Sequence, residues 1–276
     1  MVNVSLLILF TEVFLITLLV ASFYQTGMYI FSRVLKRTDI VDVGWGMGFV
    51  IVSFFWLMVN PVISVSYGII LLCVSLWGTR LSFHIAQRFF SHKKEDRRYV
   101  DMRKEWKWVK TRTYFQVFLL QGVLLSVILF PVYLHSIAHI NTFLPLVLGG
   151  FILWSIGFYY QVVGDFQLTQ FIKNKTPESK DQMMKTGVWS QTRHPNYFGE
   201  ILMWWGIWIM TLVSFNPVFI IVTAMGPLTI TLLLRYVSGV PMLEKHWKEK
   251  YGTEFEEYKD TTQMLLPSVF GFMKKK

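Results

Sequence analysis

Seven apolar segments, roughly 4–24, 41–59, 62–86, 114–134, 143–163, 199–215 and 218–235, constrain this chain more than any motif does. A membrane-crossing helix needs about 20 residues, with about 17 as the short limit, and all seven reach it. The pairs 41–59/62–86 and 199–215/218–235 are divided by Asn60-Pro61 and Asn216-Pro217, which read as tight turns between antiparallel helices. With 53% of its 276 residues hydrophobic and 16% charged, the chain does not read as a soluble domain. The expected fold is all-α: a polytopic membrane bundle of about seven helices forming one integral membrane domain over 1–276.

Charge distribution supports this count. Seven spans put 25–40, 87–113, 164–198 and 236–276 on one side, and 1–3, 60–61, 135–142 and 216–217 on the other. Every Lys and Arg falls in the first set, except Arg80 and Arg235 near the ends of spans leading into it. The positive-inside rule then predicts an outside N-terminus and a cytoplasmic C-terminus. No basic residue precedes the first apolar segment and no small-residue cleavage site follows it, so it reads as a retained span.

The net charge of +10 points to anionic lipid rather than nucleic acid. Its densest part is the loop from Arg88 to Arg112, which holds Lys93, Lys94, Arg97, Arg98, Arg103, Lys104, Lys107 and Lys110, with Trp106 and Trp108 interleaved. This reads as a solvated loop or an interfacial helix, part of which could reach a phosphorylated cofactor. The single cysteine, Cys73, rules out an intramolecular disulfide and any multi-cysteine metal site.

Polar residues inside apolar segments are costly and so informative. Glu12 sits within the first span and is expected to face the interior or to be protonated. Asp42 opens the second span beside Trp45, and Gly44, Gly46 and Gly48 leave one helix face bare for a helix or flat ligand. Arg80 and His84, four apart, share a face of the third span. Gln161 and Asp165 lie one turn apart where the fifth span ends. Asp165 could meet an amide, a ribose hydroxyl or a loop lysine.

The stretch Lys185–Glu200 carries the strongest chemical signal. Pro195 suits a helix's first turn. Arg193, His194, Asn196 and Glu200 then surround a helix start, whose positive end favours an anion. Past the last span come Arg235 and Tyr236, then Glu244, His246, Trp247, Tyr251 and Tyr258, in a charged, helix-compatible tail broken at Gly252. Cations, a helix start and aromatics suit a phosphorylated ligand with a flat ring. Neither a Rossmann nor a P-loop glycine motif is present, and His194 and His246 lack metal-ligand spacing.

Thr-Arg-His-Pro-Asn-Tyr-Phe-Gly-Glu (192–200), Asp-Val-Gly-Trp-Gly (42–46), Gly-Asp-Phe-Gln (164–167) and the Leu-Glu-Lys ending at 243–267 resemble the DUF1295 group of bacterial membrane proteins, within the steroid 5-alpha-reductase superfamily. The ending is shared more loosely with isoprenylcysteine carboxyl methyltransferases. The resemblance implies a membrane reductase that binds NADPH in its C-terminal half (160–276) and reduces an activated C=C bond in a lipophilic, steroid- or isoprenoid-like substrate. It implies Gln161, Asp165, Arg193, His194, Asn196, Tyr197, Glu200 and Arg235 as cofactor-binding residues. In the N-terminal half it implies Asp42, protonated so that it can donate, as the catalytic group, with Trp77 at the place of the family's phenol and Arg80 nearby. It favours a bacterial inner membrane over the endoplasmic reticulum. The alternatives are an S-adenosylmethionine-dependent methyltransferase, a transporter and a non-catalytic lipid-binding protein. A methyltransferase tail would carry Arg-x-x-x-Glu-Glu, whereas Gly239–Lys245 here has one acid, Glu244.

Overall fold

In lipid a backbone must satisfy its own hydrogen bonds, and long apolar segments do so as helices. A computed structural model describes residues 4–61, 64–92, 94–137, 143–177, 182–212 and 217–268, and among them there is no strand. The helices are α1 (Val4–Leu35), α2 (Ile40–Val59), α3 (Val65–Ser91), α4 (Arg97–Lys104), α5 (Val109–Ile128), α6 (Phe130–Ile137) and α7 (Leu144–Lys173). They continue with α8 (Pro195–Thr211), α9 (Pro217–Thr223), α10 (Met225–Leu232), α11 (Val240–Tyr251) and α12 (Thr253–Thr261). Six stretches are long and apolar enough to cross a membrane: α1 from Ile8, α2, α3, α5, α7 and the run Pro217–Tyr251. The protein is an all-α, multi-pass membrane bundle. The sequence segment 199–215 corresponds to α8, which at 17 residues stands at the short limit.

Several boundaries depart from expectation for local reasons. Helices α1, α3 and α7 run on to Leu35, Ser91 and Lys173, so the expected loops begin as helix. The fourth apolar segment starts earlier, at Val109, and contains a π turn at Tyr114–Leu119. It breaks after Ile128 because Pro131 has no N–H to continue the ladder. Pro227 likewise separates α9 from α10. The predicted start at Pro195 and the break at Gly252 (φ +53°) are both present. Of the tight turns, Asn60 caps α2 and its side chain donates to the Ser136 carbonyl. Asn216, Lys93 and Lys274–Lys276 lie outside the described residues.

The chain divides into two units, each described by itself: Met1–Val147 with Met210–Gly226, and Leu148–Ile209 with Pro227–Lys276. In the first, α2 is the central helix. Its three glycines serve two faces, not one, because residues two apart on a helix point in nearly opposite directions. Gly44 and Gly48 lie against Tyr24 and Met28 of α1 and Leu125 of α5. Gly46 meets the backbone of Gly78 on α3, where a Cβ would come within 2.3 Å of the Gly78 carbonyl. The Tyr24 hydroxyl donates to the Gly44 carbonyl at 2.7 Å, and the Trp56 indole donates to Thr17 at 3.0 Å. Glu12 is exposed rather than turned inward. At 32 residues α1 is about 48 Å long, well beyond a hydrocarbon core of about 30 Å, so a residue in its early turns can reach the interface.

In the second unit a glycine seam joins α7 to α8. Gly206 faces Gly150, Gly199 faces Gly157, and Pro195 faces Gly164. A Cβ on Gly199 would lie 2.4 Å from the Gly157 carbonyl. Small residues at such crossings let two membrane helices touch backbone to backbone.

Candidate functional site

The polar residues of α7 and α8 continue that seam. One-turn spacing on each helix, 161/165 and 196/200, places two side chains opposite two. Gln161 Nε2 donates to Glu200 Oε2 at 3.2 Å, and Asn196 Nδ2 donates to Asp165 Oδ1 at 3.2 Å. Gln161 is buried, and its Oε1 has no hydrogen-bond partner. Four of the eight predicted cofactor residues are thus brought together.

Three more form a second cluster around Glu244 of α11. Arg193 Nε donates to Glu244 Oε1 at 2.9 Å, and its Nη1 reaches the carbonyls of Thr262 and Lys259. His194 Nε2 donates to the same carboxylate oxygen at 3.0 Å. The imidazole lies flat between Tyr197 and Trp247, with centroids 5.4 and 5.0 Å away. Burial outweighs the Glu244 carboxylate and lowers the His194 pKa below its ordinary value, so the ring is neutral at pH 7. With Nε2 donating, Nδ1 carries a buried lone pair that has no partner. The Arg193 guanidinium, expected at an anion, is engaged within the protein. Together with the Thr192–Met264 and Ser268–Gln191 hydrogen bonds it ties the tail to the segment before α8. Arg235, the eighth predicted residue, stands exposed on a π turn, Leu233–Val237, with its guanidinium 5.2 Å from the Tyr236 ring centroid.

In the first unit the loop 92–104 folds over the start of α2. Arg37 grips Asp39 through two hydrogen bonds, at 3.1 and 2.7 Å, and Asp39 accepts the Asp96 N–H at 3.0 Å. Glu95 accepts from the Thr38 N–H at 2.7 Å and from both terminal nitrogens of Arg103. Burial would raise the Glu95 pKa, but the Arg103 and Thr38 bonds outweigh it and hold the carboxyl below its usual range.

This docking brings α4 onto Asp42. Tyr99 Oη donates to Asp42 Oδ1 at 2.5 Å, and Arg98 Nη2 donates to Oδ2 at 2.8 Å. Oδ1 thus shares a hydrogen bond with a phenol, and Oδ2 accepts from a cation. Asp42 is therefore held by Tyr99 and Arg98. Trp77 is buried and packs edge-to-face on Phe49 at 5.1 Å, while Arg80 is half-buried on α3. Burial first, then the Asp42 charge, pushes the Tyr99 phenol well above its ordinary pKa, so it keeps its proton. Asp42 lies in the wall of a pocket of about 570 Å³, with Arg37, Arg88, Phe89, His92 and Asp96 among the other lining residues. Sequence reading missed Tyr99 because it sits in a run that reads as uniformly basic. The available signal was an aromatic hydroxyl beside Arg98 in a loop that returns to α2.

Residues 28–262 match the family described as "Protein of unknown function (DUF1295)". The Protein-S-isoprenylcysteine O-methyltransferase of Saccharomyces cerevisiae is 30% identical over 102 residues, which is 37% of this chain and 38% of that enzyme. The likeness thus spans well under half of the yeast protein. No solved structure matches.

Proposed function

The chain belongs to the DUF1295 family, and from that premise we propose that it is a membrane-embedded, NADPH-dependent reductase of an activated C=C bond in a lipophilic substrate. One observation carries the reading. A phenol and a guanidinium hold the two oxygens of Asp42 at the wall of a pocket where a membrane helix begins. A carboxylate–phenol pair there keeps one proton between two oxygens, ready for a carbonyl.

The residues of the second unit fit a nicotinamide cofactor. Gln161 Oε1 and His194 Nδ1 are buried polar atoms without a partner, suited to a carboxamide or ribose, and Arg235 is an exposed cation suited to phosphate. Arg193 acts from behind, holding Glu244 and the tail so that His194 keeps its orientation. NADPH, when bound, supplies a hydride.

The rest falls to the chain. Saturating an enone puts negative charge on the carbonyl oxygen, and one well-aimed donor there is typically worth about 3 kcal/mol. Tyr99 holds that proton at Oη, in a hydrogen bond to Asp42 that it would exchange for one to the carbonyl. Asp42 orients the phenol, and Arg98 offsets the carboxylate charge. Burial in the cluster of Val41, Val117 and Phe118 fixes the Tyr99 ring.

A methyltransferase is the second reading, favoured by the match to the yeast enzyme. Calorimetry of the purified full-length protein with NADPH and with S-adenosylmethionine separates the two. NADPH binding, together with its oxidation in the presence of enone lipids, is the expected result. Binding of S-adenosylmethionine without NADPH would overturn the reductase assignment.

A further inference from the structure

The loop between α3 and α5 carries its charge unevenly. In its first half four cations are held in ion pairs. Arg97 and Lys104 reach Asp101 at 3.1 and 2.7 Å, Arg98 reaches Asp96 and Asp42, and Arg103 reaches Glu95. The second half is not neutralised. Lys107, Lys110 and Arg112 are exposed and pair with no described carboxylate. From Trp106 to Arg112 there is no acidic residue.

The two tryptophans of this stretch part ways. Trp106 packs inward on the cluster of Val41, Tyr99, Val117 and Phe118. Trp108 stands 82% exposed, the one exposed tryptophan of the eleven, all of which are described. Its backbone is left-handed (φ 59°, ψ 51°), a conformation that residues with a Cβ adopt only when their surroundings impose it. Beside it a shallow pocket of about 270 Å³ is lined by Lys107, Trp108, Thr111 and Arg112.

This pocket opens where α5 begins, and α5 is one of the helices fit to cross a membrane. Phe115, Leu120 and Val123 follow it as exposed apolar residues, as on a lipid-facing helix. The pocket therefore lies at headgroup depth, where tryptophan is favoured and unpaired lysine and arginine attract anionic lipid. We infer that Lys107, Trp108, Thr111 and Arg112 form a binding site for the phosphate headgroup of an anionic phospholipid. The two cations meet the phosphate, the Thr111 hydroxyl donates to it, and the indole sits among the neighbouring headgroups. A soluble phosphate has no use for that indole or that depth.

The test uses the full-length protein in nanodiscs of phosphatidylcholine mixed with phosphatidylglycerol, with bromine placed on the chains of one lipid or the other. The difference in fluorescence between the protein and its Trp108→Phe variant isolates Trp108. Thermal unfolding of each variant at the unsubstituted protein's temperature certifies the fold. Brominated phosphatidylglycerol is expected to quench Trp108 more than brominated phosphatidylcholine. Lys107→Gln and Arg112→Gln should each lower that preference about fivefold. Inorganic phosphate added to nanodiscs of phosphatidylcholine alone should leave the Trp108 signal unchanged. Equal quenching by the two lipids, a preference that survives both substitutions, or a response to inorganic phosphate would overturn the assignment.

Discussion

Replacing Gly199 with alanine isolates the contact on which the α7–α8 site depends. The added Cβ would lie 2.4 Å from the Gly157 carbonyl oxygen and 2.7 Å from the Gln161 backbone nitrogen. Both neighbours are backbone, so no side chain can swing aside. A tolerable carbon–oxygen contact is about 3.3 Å, so the helices must part by roughly 0.9 Å at this crossing. Overpacking of this kind costs about 1–3 kcal/mol, against which alanine's better helix propensity returns about 1 kcal/mol or less. A net loss near 1–2 kcal/mol lowers the unfolding midpoint by about 2–8 °C for a chain of this size. The same separation would stretch Gln161–Glu200 and Asn196–Asp165, now both 3.2 Å, past hydrogen-bonding distance. The variant should therefore also bind NADPH more weakly. Gly149→Ala, on α7, is the control, because a Cβ there meets nothing within 4 Å. Thermal unfolding in detergent and calorimetric titration are the assays. If Gly199→Ala melts and binds like Gly149→Ala, the seam does not hold the site together.

Tyr99→Phe removes one oxygen from a packed ring, so the fold and NADPH affinity should persist while the enone-dependent oxidation rate falls by about 10²-fold or more. Arg193→Ala leaves Glu244 without its charge partner beside two stranded carbonyls, and should destabilise the protein by about 3 kcal/mol or more in thermal unfolding. The double change Arg193→Met with Glu244→Met should cost less, because no lone charge remains. The folded-state pKa of Glu95 is depressed, so its contribution is fully present above the unfolded value of 4.5 and is lost as pH falls through the folded value. Protection from hydrogen exchange over 94–104, relative to the intrinsic rate at each pH, should therefore fall below pH 4.5, and Glu95→Gln should show the lowered protection at neutral pH already.

Much of the site was legible one helix at a time. The spacing of Gln161 with Asp165, and of Asn196 with Glu200, put each pair on one face, and Pro195 marked where the second helix starts. The seam was equally open to reading, since Gly150, Gly157 and Gly164 recur every seven residues opposite Gly206, Gly199 and Pro195. Arg193 was harder, because a guanidinium reads alike whether it awaits a phosphate or is closed by a carboxylate fifty-one residues on. Tyr99 was hidden by the charge around it, and its partner Asp42 lies fifty-seven residues earlier.

Apolar length and helical period are local properties, and from them follow the membrane bundle, its helix starts and the shared faces of its polar residues. Which cation is neutralised, which phenol reaches Asp42 and which tryptophan faces outward depend on loops closing over helices they do not adjoin. Coulomb and hydrogen-bond partners are chosen by distance in space, and that distance exists only once the chain has folded.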